Sequence, residues 1–232
     1  MTRAAVVLAG VVAGVSACGN HDQSLPALPS TVAAPPITAP AVTDSEVLRA
    51  LLLGPADMPA GFTQLDDAAP GNGPTPQDRS RTEPAECAKV LAPVADLYAG
   101  PTARSAAHYS SPNFASIDID IASYADGGAA QAFSAVQKLA HACGSYSGTD
   151  ADGTSVSYRL GGLSQPAAGD ASTSFQVRTT SEGMSLYSAA TVAVVGSTIV
   201  QIAETSPAQV EPNALRDLTD KQIRRMTGAT GP

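Results

Sequence analysis

Apolar and polar residues alternate most regularly at Ile117, Ile119 and Ile121, which are separated by Asp118 and Asp120. A period of two marks a strand with one buried face. Val156, Tyr158 and Leu160 repeat the pattern, as do Phe175 and Val177. Two longer apolar runs, 186–195 and 198–203, flank Gly196-Ser197, a two-residue hairpin turn. Elsewhere the spacing is helical. Thr43-Asp44-Ser45-Glu46 reads as a capping box, after which Val47, Leu48, Leu51 and Leu52 form one apolar face and Gly54-Pro55 stops the helix. A second helix is predicted over 83–98, with Cys87, Val90, Val94 and Leu97 inward and Pro93 ending or kinking it midway. A third follows Asp126-Gly127-Gly128 and ends near Cys143, with Phe133, Val136, Ala140 and Cys143 on one face. The last is predicted over 212–226, with Pro212 in its first turn and Gly228 at its end. The turn-rich stretch 66–81 reads as a mobile surface loop.

Strands joined by short turns imply antiparallel pairing, so the predicted class is α+β. The expected architecture is an antiparallel sheet of about five to six strands over 43–228, with helices packed on one face and a short tail at 229–232. No internal repeat is present.

The N-terminus follows a different logic. Arg3 precedes an apolar run over 4–15. As a helix that run reaches roughly 18 Å, short of a hydrocarbon core of about 30 Å, so it reads as a secretory signal peptide over 1–17. The segment Val15-Ser16-Ala17-Cys18-Gly19 resembles the lipobox of bacterial lipoproteins. That resemblance implies cleavage before Cys18 and a thioether-linked diacylglyceride on its sulfur. Two acyl chains suffice for stable attachment. The expected location is the extracytoplasmic face of the cell membrane. Residues 18–42, with Pro26, Pro29, Pro35, Pro36 and Pro40, are then expected to form a disordered, lipidated spacer reaching at most roughly 70 Å.

Acidic residues outnumber basic ones by 21 to 13. No basic patch is visible, which disfavours nucleic acid as a partner. If Cys18 carries lipid, Cys87 and Cys143 are left as an even pair in an oxidising compartment, and a disulfide between them is the simplest arithmetic. Neither has a CxxC partner or a zinc-like ligand cluster, so no metal and no cofactor are expected.

Other candidate chemistry is weaker. Asp118 and Asp120 project from one strand face about 7 Å apart, and are read as the wet side of an amphipathic strand. Asp150-Ala151-Asp152-Gly153 resembles the start of a calcium loop, but position twelve is Gly161 where a Glu is required; a turn suffices. Gly144-Ser145-Tyr146-Ser147-Gly148 has Tyr146 where a nucleophile elbow needs Ser. His21 falls in the spacer, leaving His108 and His141 as possible bases, and His141 with Lys138 reads as an exposed helical pair. No catalytic residue is assigned.

Leu51-Leu52, followed by Ala56-Asp57-Met58-Pro59-Ala60-Gly61-Phe62, resembles the opening of small actinobacterial lipoprotein domains. Cys87, the strand at 117–124, Ala140-His141-Ala142-Cys143-Gly144 and Val192-Ala193-Val194-Val195-Gly196 follow in a similar order. Together they resemble mycobacterial lipoproteins whose domain is similar to the extracellular sensor of a mycobacterial receptor Ser/Thr kinase. The resemblance spans 43–228. It implies an antiparallel sheet with a cleft beside it, a binding or sensing role and no catalytic residues. The expected function is that of a lipid-anchored, non-enzymatic envelope lipoprotein binding a small apolar ligand. A protein-interaction scaffold is the alternative, and a serine hydrolase the less favoured one. A Ser or Asp within reach of His108 or His141 inside a cleft would favour the hydrolase.

Overall fold

The structure, a computed structural model, describes residues 24–36, 39–65 and 79–228. The expected signal peptide, Cys18, His21 and the 229–232 tail lie outside the described residues, as does the loop over 66–78.

Nine strands form one sheet: β1 (Thr63–Gln64), β2 (Arg81–Glu83), β3 (Ala103–Ser110), β4 (Ser116–Ser123), β5 (Ser145–Thr149), β6 (Ser155–Gly162), β7 (Ala171–Ser181), β8 (Met184–Val195) and β9 (Thr198–Ser206). Their order is β1-β3-β4-β9-β8-β7-β6-β5-β2, and every pairing is antiparallel. The class is as expected, but five to six strands become nine. β1 and β2 are only two and three residues long. β3 and β5 read ARSAAHYS and SYSGT, too poor in large apolar residues for alternation to reveal them.

Four helices join the sheet: α1 (Ser45–Ala50), α2 (Val94–Leu97), α3 (Gly128–Ala142) and α4 (Pro212–Thr227). They pack on both faces, not on one. The central strands require this, because β8 and β9 are apolar on both sides. Ala190, Val192, Val194 and Ile199 join a core under α3, whereas Ala193, Val200 and Ile202 join a second core under α1 and α4. A strand buried on both faces needs cover on both. Ile117, Ile119 and Ile121 belong to the second core and are at most 2% exposed, each stabilising the fold by about 2 kcal/mol. The two sides are called here the α3 face and the α4 face.

The helices expected over 128–143 and 212–226 form, the latter capped by Gly228 at φ +68°, where glycine carries no Cβ penalty. Asp44, not Thr43, caps α1, its side chain accepting from the Glu46 N–H at 2.9 Å. The helix predicted over 83–98 instead splits into a 3-10 turn, Ala85–Lys89, and the single turn α2, with Pro93 between them. Proline supplies no N–H and clashes with the preceding turn, so the helix cannot run through. Cys87 and Cys143 form a disulfide with a Cα–Cα separation of 5.6 Å. It ties the 3-10 turn to the end of α3, and both residues are buried.

The proline-rich segment is not a free spacer over its described part. Leu28 and Ala34 pack into the α3-face core. Pro26 O accepts from Gly162 N at 2.8 Å, Pro29 O from His141 Nε2 at 3.0 Å, and Pro40 O from Ser197 Oγ at 2.9 Å. Gln137 Oε1 accepts from Val32 N at 2.7 Å while Gln137 Nε2 donates to Val32 O at 2.9 Å. Val42 N donates to Ser123 Oγ at 2.9 Å just before α1. Proline fixes an extended backbone whose carbonyls remain available as acceptors, and α3 and β6 supply the donors. A Cβ on Gly162 would lie 2.4 Å from Ala27 O, so the close approach requires glycine there.

Candidate functional site

Period two places Arg104, Ala106 and His108 of β3 on the α3 face. The register sets His108 opposite Asp118, Ala106 opposite Asp120 and Arg104 opposite Ala122. On the other side of β4, Gln201 of β9 lies opposite Asp120. α3 packs on β8 and β9, and the β4 region is covered by the single turn of α2. Gln201 holds the approach to that turn in place: its Nε2 donates to Leu91 O at 3.2 Å and Ala92 O at 3.3 Å.

Between α2 and the β3–β4 pair lies a cleft of about 420 Å³. That is the volume range of small-molecule sites. Pro93, Val94 and Ala95 form one wall, and Ala106, Ala122 and Asp120 form the floor. The two alanines leave the room. Arg49 and Arg104 stand at the rim, paired with Glu46 and with Asp96, each at 3.1 Å. The Arg104–Asp96 pair spans from β3 to α2. Both of its side chains are more than half exposed, so it contributes little to stability.

His108 Nδ1 donates to Asp118 Oδ1 at 2.8 Å, and Ser116 Oγ donates to Asp118 Oδ2 at 3.1 Å. Asp120 is different. Burial pushes its carboxyl up from 3.8 to about 6; nearby His108 pulls it down, while Asp118 and Asp96 push it further up. Among the described residues its carboxyl has no hydrogen-bond partner. The two aspartates do lie on the face away from the buried isoleucines, as expected, but α2 folds over β4 and leaves Asp118 at the open edge and Asp120 partly buried in the cleft. A carboxyl of this kind can accept a hydrogen bond from a ligand, or donate one when protonated.

The other candidates resolve separately. His141 and Lys138 are both exposed on α3, as expected, and the His141 ring in addition bonds the carbonyl of Pro29. Tyr146 of the 144–148 string lies in β5 and stacks on Tyr158, with ring centroids 4.4 Å apart. Asp150 Oδ1 accepts from Asp152 N at 3.0 Å and Thr154 N at 2.8 Å, which is the work of a turn. Among the described residues no group of three or more His, Cys, Asp or Glu could hold a metal. His108 does meet an aspartate in a cleft, the arrangement that favours a hydrolase, but no Ser, Thr or Cys side chain among the described residues hydrogen-bonds it. Arg49, Arg104 and Gln201 were not singled out in the sequence. The alternation of Arg104, Ala106 and His108 with Ala103, Ser105 and Ala107 was the available signal, weak because alanine sits on both faces.

No helix among the described residues is long and apolar enough to cross a membrane. No family model matches the chain, and no curated protein matches it in sequence. Among solved structures, a putative uncharacterized protein from Mycobacterium smegmatis, the Rv0999 ortholog, aligns with 73% of this chain and 92% of its own at 13% identity, with a TM-score of 0.34. The extracellular domain of PknH from Mycobacterium tuberculosis aligns with 82% of this chain and 98% of its own, at 16% identity and a TM-score of 0.56. The chain thus shares the fold of a mycobacterial extracellular domain, in line with the sensor-like domain that its sequence resembles.

Proposed function

We propose that this is a lipid-anchored, extracytoplasmic and non-enzymatic sensor-like protein, and that the cleft beneath α2 is where it takes a small ligand. The fold likeness to an extracellular domain supports the sensor-like role. The lipobox-like segment ending at Cys18 supports the anchor. The observation that carries the ligand reading is Asp120, a partly buried carboxyl that lines a preformed cleft without a hydrogen-bond partner among the described residues. The wall of Pro93, Val94 and Ala95 suits an apolar body, so the ligand has an apolar part and one hydrogen-bonding group directed at Asp120.

Native mass spectrometry of the protein purified from its own host tests this. The expected result is a small-molecule mass on the native chain that is absent from Ala106→Phe, whose ring fills the floor. An empty native chain, or the same adduct on Ala106→Phe, overturns the cleft as the site.

A second reading has one observation in its favour. The His108–Asp118 pair has the geometry of a general base with its orienting carboxylate. Among the described residues no nucleophile is bonded to the ring. Ester hydrolysis lost in His108→Ala would support it.

A further inference from the structure

The charges around the cleft beneath α2 bear on what kind of hydrogen-bonding group its ligand carries. Each arginine of the lining already has a carboxylate of its own: Arg49 pairs with Glu46 and Arg104 with Asp96, each at 3.1 Å. All four side chains are more than half exposed, so these pairs stand at the mouth, in water. That leaves His108 against two carboxylates, Asp118 and Asp120. Asp118 takes the His108 Nδ1 at 2.8 Å. The lining and its partners are therefore negative whichever protonation state His108 holds, and the unmatched charge falls on Asp120. Lys89, on the 3-10 turn ahead of α2, does not line the cleft; its ammonium donates to Asp96 O at 3.2 Å.

The cross-strand neighbours of Asp120 do not answer that charge. Ala106, opposite it on β3, has no side-chain donor. Gln201, opposite it on β9, has two amide hydrogens, and its Nε2 donates to Leu91 O and Ala92 O. A ligand that displaces water from the carboxyl must bring a donor of its own, because losing that hydrogen bond without replacing it costs affinity. Hydrogen bonds between charged partners are about twice as strong as neutral ones, so the best complement to Asp120 is a cation bearing N–H. A quaternary ammonium bears none and is held instead on aromatic faces; no Phe, Tyr or Trp lines this cleft.

We infer that the ligand of this cleft is an organic ammonium ion, its N–H hydrogens on the Asp120 carboxylate and its hydrocarbon part against Pro93, Val94 and Ala95. The inference rests on the cleft being the ligand site, as proposed above, and adds the charge of the ligand. The surrounding field acts in the same direction. Burial raises the Asp120 pKa to about 6, His108 lowers it, and Asp118 and Asp96 raise it again. The field of those two carboxylates, which resists a further negative charge, attracts a positive one.

Hexylammonium, hexan-1-ol, hexanoate and hexyltrimethylammonium present similar tails with different heads. Each is titrated into the full chain at pH 7.5 and followed through the amide signals of Ala106 and Ala122 in two-dimensional NMR. Hexylammonium is expected to bind at least about tenfold more tightly than the other three. Asp120→Asn, which keeps the shape and removes the charge, is expected to abolish that preference while hexan-1-ol binds as before. The Asp120 carboxyl, with its midpoint at about 6 in the empty cleft, is expected to titrate at about pH 5 or below when hexylammonium is bound. Any of the other three binding as tightly, or a preference that survives Asp120→Asn, overturns the inference and leaves the cleft as the site; hexanoate binding best would assign the ligand to the rim arginines. If none of the four binds, or all bind Ala106→Phe equally well, the cleft reading itself fails and the inference falls with it.

Discussion

Gln137 grips the backbone of Val32 at both ends of its amide, accepting from the N–H at 2.7 Å and donating to the carbonyl at 2.9 Å. A glutamine side chain presents the same donor and acceptor as a peptide group, so it can substitute for a neighbouring strand. Gln137 is only 4% exposed. Replacement by Ala leaves two backbone groups of the arm without partners. The expected cost is about 1–3 kcal/mol in urea denaturation, with faster amide exchange at Val32. An unchanged midpoint together with slow exchange there would mean that Leu28 and Ala34 hold the arm on their own.

Asp120 predicts a pH dependence whose sign can be worked out. Its folded-state pKa is raised to about 6 from 3.8, chiefly by burial. The neutral form therefore suits the fold. The stability this group contributes is full below about pH 3.8 and is lost as pH rises through about 6. Asp120→Asn, which stays neutral, is expected to stabilise the protein at pH 7.5 by about 1–3 kcal/mol and to do much less at pH 4.5. Urea midpoints at the two pH values check it. An equal effect at both would trace the gain to something other than ionisation.

Gly162 offers a test of the arm that spares the sheet. In Gly162→Ala the new methyl meets Ala27 O and the Pro29 ring, at 2.4 and 3.2 Å if nothing moves. The arm is the part able to give way. Limited proteolysis within 24–36 is expected to accelerate at least tenfold while the far-UV circular dichroism stays native. Gly144→Ala, whose Cβ would meet nothing within 4 Å, serves as the control. Loss of the β signal in Gly162→Ala would show that β6 depends on the contact more than the arm does.

The elements legible in the sequence were those with large side chains on a clean period. Ile117, Ile119 and Ile121 announced β4, Phe133, Val136 and Ala140 announced α3, and Gly196-Ser197 announced the turn between β8 and β9. Cys87 and Cys143 are paired in the structure, as their number suggested. What stayed hidden has a common physical cause. In β3 the residues that define one face are Arg104, Ala106 and His108 and those of the other are small apart from Tyr109 at its end, so neither face carries a regular hydrophobic signal. The site inherited that obscurity, because half of its floor is β3. Asp118 and Asp120 were visible, but their burial was not: it depends on where Pro93 breaks the second helix and on Gln201 holding the chain ahead of α2 down. The proline-rich arm misled for a related reason. Its composition specifies extended backbone, and whether that backbone is free or bound depends on donors over a hundred residues away, at Gln137, His141 and Gly162.

The docked arm also has a mechanical consequence. Any pull between an anchored N-terminus and a partner held by the domain enters through residues 24–42 before it reaches the sheet. The hydrogen bonds at Gly162, His141 and Gln137 lie one after another along that path and each is worth about 1 kcal/mol, so they release in sequence, at low load. The nine strands, joined side by side, bear load together. The arm therefore behaves as a compliant element in series with a stiff one: it lengthens first, and leaves the cleft between α2 and β3–β4 intact while it does.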